Sequence, residues 1–163
     1  MEESDIIDAS GQFMWSNVAY NYLDSNFKAE TTKLDFTTNH ISEMSAELLA
    51  SFLSREDCML RELNLTQCRL TEKASIQIFE SLGKSKVAIL TLDKNLLTVA
   101  CCKALSKGIC ENKNIEYLSL QSCDILNESM NHLCIAISQA PNLKVLRLDD
   151  NSIFDLGAKS LGK

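Results

Sequence analysis

The sequence predicts a repeating α/β array in which short strands alternate with helices, and three observations carry that prediction. Five segments align: TTKLDFTTNHI from Thr31, LRELNLTQCRL from Leu60, VAILTLDKNLL from Val87, IEYLSLQSCDI from Ile115 and LKVLRLDDNSI from Leu143. Their ninth places hold Asn39, Cys68, Asn95, Cys123 and Asn151, separated by 29, 27, 28 and 28 residues. Self-similarity at such a period marks a stack of supersecondary units, none of which can bury its apolar face alone. Behind each segment the apolar residues change to helical spacing. Eight places past the motif's last apolar residue lie Leu49, Ile78, Leu105, Leu133 and Leu161, and twelve past it lie Leu53, Leu82, Ile109 and Ile137. Residues four apart share one helix face.

Each unit therefore reads as strand, turn, helix and return loop. Strand alternation sends the fourth and sixth motif places into the core. Small residues (Ser45, Ala74, Cys101, Ser129 and Gly157) occupy the inner side of each first helical turn, where helix and strand must approach closely. Residues 31–163 hold five repeats, the last of them truncated. Residues 1–30 lack the motif, yet FMWSNVAYNYLDSNF contains five of the ten aromatics. Trp15, Val18, Ala19, Tyr22 and Leu23 follow helical spacing, which predicts an N-terminal capping helix over the first repeat's open face; an aromatic binding arm is the alternative. The other end, LGAKSLGK, stops before the next inward helical place, so that edge is expected to expose apolar surface and to allow either a longer array or self-association.

The motif has the form L-x-x-L-x-L-x-x-N/C-x-L, and with its period, its full helix and its alternating Asn and Cys it resembles the ribonuclease-inhibitor-like subfamily of leucine-rich repeats. The resemblance implies a right-handed horseshoe solenoid with parallel strands on the concave face and α-helices on the convex face. The glycine usual after that family's motif occurs only as Gly157, which argues against close kinship with the vertebrate inhibitor. The ninth-place residues Asn39, Cys68, Asn95, Cys123 and Asn151 read as a structural ladder. Backbone groups where the chain leaves the strand are buried without a strand partner, and an Asn side chain can both donate to and accept from them. Cysteine does so more weakly.

Composition narrows the function classes. In a chain of 163 residues, 45% apolar content is enough to fill a core without disulfides. A net charge of -6 disfavours nucleic acid and anionic membrane as partners. Seven cysteines, an odd number without a C-x-x-C pair, suit a reducing compartment, so the expected location is the cytoplasm. No phosphate loop, dinucleotide fingerprint or H-E-x-x-H is present, and His40 and His132 have no nucleophile and acid arranged around them by the repeat. No catalytic residue, metal site or cofactor is expected.

The informative surface is the outward face of the strands. Third places give Lys33, Glu62, Ile89, Tyr117 and Val145; fifth places Asp35, Asn64, Thr91, Ser119 and Arg147; seventh places Thr37, Thr66, Asp93, Gln121 and Asp149. An apolar row of Ile89, Tyr117 and Val145 rimmed by charge has the make-up of an interaction patch. The expected partner-binding residues are Glu62, Ile89, Thr91, Asp93, Tyr117, Ser119, Gln121, Val145, Arg147 and Asp149. The resemblance implies a non-enzymatic module that binds another protein, an enzyme being the candidate it suggests, and inhibits by occlusion. Cytosolic regulators, sensing repeats of intracellular immune receptors and bacterial effectors acting in host cytosol all carry such arrays. The fold also resembles that of GTPase-activating proteins for the small GTPase Ran, which implies an alternative in which Arg147 or Asn64 assists hydrolysis.

Overall fold

The computed structural model describes residues 6–155, 157 and 159. Among them, six parallel strands form one sheet in sequence order: β1 (Ile6–Asp8), β2 (Lys33–Asp35), β3 (Glu62–Asn64), β4 (Ile89–Thr91), β5 (Tyr117–Ser119) and β6 (Val145–Arg147). Helices α1 (Ser16–Asn26), α2 (Glu43–Leu53), α3 (Glu72–Ser81), α4 (Val99–Glu111) and α5 (Asn127–Gln139) connect them. This is the expected α/β solenoid, with helices covering one face of an open sheet. Each strand is three residues long and turns its middle residue inward: Leu34, Leu63, Leu90 and Leu118 are buried, and Leu146 is half-buried.

The register runs straight across the molecule. Ile6, Lys33, Glu62, Ile89, Tyr117 and Val145 are successive partners. Backbone bonds continue past the strands, so that the amides of Ala9, Phe36, Leu65, Leu92 and Leu120 each donate to the fifth-place carbonyl of the following coil. The helices begin where a side-chain oxygen can cap them. Ser42, Thr71 and Thr98 accept from the amides of Ser45, Ala74 and Cys101, satisfying donors that a helix leaves open at its start. Leu126 stands in the corresponding place before α5 and caps nothing. The small first-turn residues Ser45, Ala74, Cys101, Ser129 and Gly157 are all buried. Leu161, the last of the helix-face leucines, lies outside the described residues.

The N-terminal segment differs from expectation in two ways. A strand precedes the helix, and Ile7 and Ala9 occupy the places of Leu34 and Phe36 in the register. The apolar stripe of α1 also faces two ways: Ala19 and Leu23 are buried and Tyr22 is partly buried, whereas Trp15 and Val18 are exposed. Helical spacing shows that residues share a face, but not which part of that face a neighbouring helix covers.

The strand exits hold the coils together, and they alternate between two chemistries. Each ninth-place Asn spans two coils. Asn95 Oδ1 accepts from the amides of Cys68 at 3.0 Å and Leu70 at 3.5 Å, while Nδ2 donates to the carbonyls of Leu65 and Leu92. Asn151 repeats this with Cys123, Ile125, Leu120 and Leu148. Asn39 bonds Met14, Ala9 and Phe36. A cysteine cannot supply that acceptor. Its thiol donates back to Phe36 O from Cys68 and to Leu92 O from Cys123, and its backbone carbonyl takes over the accepting role, receiving the amides of Ile41 and Leu97 respectively.

Turning that carbonyl toward the previous coil rotates the following peptide, and the tenth residue enters the left-handed region. Arg69 has φ 50° after Cys68 and Asp124 has φ 55° after Cys123; Phe13 has φ 51° after Gln12 in the first coil, where no coil precedes it among the described residues. After Asn, the tenth residues His40, Leu96 and Ser152 stay out of that region. The eighth place is left-handed in all six coils, at Gly11, Thr38, Gln67, Lys94, Ser122 and Asp150.

Candidate functional site

The open face of the sheet divides into two halves. On β1 to β3 the third-place charges cancel, because Lys33 Nζ lies 2.8 Å from Glu62 Oε1. The fifth-place polar groups bond one another: Asn64 Nδ2 donates to Asp35 Oδ2 at 3.0 Å, and Asn64 Oδ1 accepts from the amide and hydroxyl of Thr66. Glu62, expected to meet a partner, is thus already engaged.

On β4 to β6 the third-place row is apolar. Ile89 is 40% exposed and Val145 42%, with Tyr117 partly buried between them in direct parallel register. Arg147 Nε lies 3.3 Å from Asp149 Oδ2. The Tyr117 hydroxyl and the Asp149 carboxylate, in that order, push the Arg147 guanidinium's pKa above its ordinary value. The Arg147 guanidinium thus lies near the tyrosine's polar tip on the neighbouring strand. An aromatic side chain offers a large contact area with few rotatable bonds, which makes it a suitable anchor.

Asp93 organises the floor beside this row. Its Oδ1 accepts from Ser119 Oγ at 2.7 Å and from the Gln121 amide at 2.8 Å, and its Oδ2 accepts from Gln121 Nε2 at 3.1 Å. Ser119, one of the expected partner-binding residues, does not face a partner: it is 0% exposed. Alternation points it outward, but Asp93 and Gln121 close over it. Thr91, Asp93 and Gln121 are partly exposed, and Arg147 and Asp149 are exposed.

The chemistry of the cysteines favours packing. Burial pushes the Cys68 and Cys123 thiols up to about 12 and Cys102 to about 11, so these thiols remain neutral at physiological pH and are poor nucleophiles. All seven cysteines are free. Among the described residues no three His, Cys, Asp or Glu side chains are grouped to hold a metal, and no helix is long and apolar enough to cross a membrane.

Sequence reasoning did not include Ile6, which the register adds to the third-place row. Its signal was present: Ile7 precedes Leu34, and Gln12 precedes Asn39, by the same 27 residues that separate Cys68 from Asn95.

Residues 139–162 match the family model described as Leucine Rich repeat. The chain is 29% identical over 134 residues to the mouse NACHT, LRR and PYD domains-containing protein 9C, covering 76% of this chain and 12% of that protein. It is 30% identical over 131 residues to the human NACHT, LRR and PYD domains-containing protein 14, covering 77% of this chain and 12% of the relative. Pig ribonuclease inhibitor is 27% identical over 132 residues, or 79% of this chain and 29% of the inhibitor. The chain thus spans less than a third of the length of each of these relatives.

Proposed function

We propose that this chain, which is a leucine-rich-repeat protein of the ribonuclease-inhibitor-like kind, acts without catalysis by holding a protein partner on the concave face formed by β4 to β6. The observation that carries this reading is the apolar row of Ile89, Tyr117 and Val145, assembled from three separate coils and flanked by Arg147 and Asp149. Six strands about 4.8 Å apart span roughly 24 Å, a width on the scale of one face of a standard protein interface. A relative is named for inhibiting a ribonuclease, and occlusion of an enzyme's active site is the mechanism this surface suits: a broad, rigid wall can cover an opening without entering it. The neutral, buried thiols fit a reducing cytoplasm.

The GTPase reading ranks behind this one. Arg147 is engaged by Asp149, and Asn64 by Asp35 and Thr66, so each would have to leave its partners before helping a nucleotide. The experiment that tests the leading reading is a pull-down followed by calorimetry with the partner recovered. Tyr117→Ala should weaken binding by about 2 kcal/mol or more, as expected for a buried aromatic anchor, while Glu62→Ala should change it by less than about 0.5 kcal/mol because its charge is already neutralised. Equal affinity for wild type and Tyr117→Ala would move the site off this half of the sheet. Stimulated GTP turnover that is lost with Arg147→Ala would favour the alternative.

A further inference from the structure

Outside the sheet, exposed aromatics gather on the strand-exit rim of the first three coils. Phe13, Trp15, His40, Gln67 and Arg69 surround a cavity of about 120 Å³. Phe13 is 73% exposed and Trp15 68%. Their positions are held. Ser16 Oγ lies 2.9 Å from His40 Nδ1, and the His40 ring meets Trp15 edge-on at 6.4 Å. Phe13 and Arg69 are both tenth-place residues following a rotated peptide, with φ near 50°. A left-handed backbone at both positions therefore presents these two side chains on the rim.

Charge and size define what can enter. The chain carries a net charge of -6, yet no carboxylate is among the described lining residues. Arg69 is exposed and forms no ion pair among the described residues. Small-molecule pockets usually enclose roughly 300 to 1,000 Å³; a space of about 120 Å³ is of the scale of one side chain. Tryptophan and arginine are the residue types that most often dominate protein-binding energy, and a carboxylate is the natural partner of an unpaired guanidinium.

We infer that this rim is an anchor site for an acidic peptide segment of a protein partner: one apolar side chain enters the cavity between Phe13 and Trp15 while a neighbouring carboxylate pairs with Arg69. The site is distinct from the sheet surface and does not depend on it. An acidic segment fits better than an anionic membrane, because the site offers a one-side-chain space and a single guanidinium, whereas membrane attraction needs a broad basic surface that a chain of net charge -6 lacks.

Trp15 is the single tryptophan, so its emission reports on this site directly. The full chain is titrated with a capped pentapeptide holding one leucine among four glutamates, with its counterpart built on four lysines, and with the acidic peptide carrying glycine for leucine. The acidic leucine peptide should shift Trp15 emission saturably, and the other two should bind at least about tenfold more weakly. Arg69→Gln should weaken the acidic leucine peptide by about tenfold or more, Arg69→Lys should restore much of the loss, and circular dichroism of both variants should match wild type. Tyr117→Ala should leave the response intact, which separates this site from the sheet. The inference is overturned by an unresponsive Trp15, by equal binding of the lysine peptide, by full affinity in folded Arg69→Gln, by loss of the response with Tyr117→Ala, or by a response confined to phosphatidylserine vesicles.

Discussion

Coils built on Asn and coils built on Cys perform the same task with different parts of the chain. In an Asn coil the side chain is both acceptor and donor, and the backbone after it is free to take an ordinary conformation. In a Cys coil the backbone carbonyl does the accepting and the thiol only donates. The difference shows up one residue later, as the left-handed turn at Arg69 and Asp124 that Leu96 and His40 do not share. What the comparison teaches is that an alternating letter in the sequence encodes an alternating peptide orientation, and that this orientation decides which side chains stand on the rim.

The largest effect should come from breaking an Asn coil. Asn95→Ala leaves the buried amides of Cys68 and Leu70 without their acceptor, and with each buried unsatisfied group costing on the order of 1 to 3 kcal/mol, urea denaturation should show a loss of about 3 kcal/mol. A loss below about 1 kcal/mol would mean that water or a relaxed backbone replaces the side chain. The Cys coil should be more forgiving. Cys123→Ala removes a weak donor from Leu92 O, but that carbonyl keeps the Asn95 Nδ2 bond and the Cys123 carbonyl keeps the Leu97 amide. The expected loss in the same measurement is about 1 kcal/mol, mostly from the lost sulfur packing. Equal losses for Asn95→Ala and Cys123→Ala would erase the distinction between the coils.

Much of the fold was legible because the determinants of a repeat unit are local and recur. The inward leucines of β2 to β6, the small residue opening each helix and the ninth-place residue all fall on one period. The first coil was not legible because it keeps the spacing while changing the letters: Ala9 stands where others have Leu or Phe, and Gln12 stands where others have Asn or Cys. On the sheet, alternation identified the outward face, including the row of Ile89, Tyr117 and Val145, but it carries no information on depth. Ser119 points outward and is nevertheless buried, because Asp93 and Gln121 bond across it. The rotated peptide was equally hidden, since nothing in the residues Arg69 and Asp124 themselves requires a left-handed conformation; it accompanies the bonds from Ile41 and Leu97 in the coil before to the Cys68 and Cys123 carbonyls.

The smallest expected effect is also the sharpest test of this account, because its sign differs between the two kinds of coil. Glycine adopts the left-handed region without the penalty of a side chain, whereas elsewhere it loses more conformational freedom on folding. Arg69 and Leu96 are both exposed tenth-place residues, one after Cys and one after Asn. Urea denaturation should find Arg69→Gly more stable than wild type by about 0.5 kcal/mol and Leu96→Gly less stable by about 0.5 to 1 kcal/mol. Destabilisation of the same size in both variants would contradict the claim that Cys coils turn their backbone where Asn coils use a side chain.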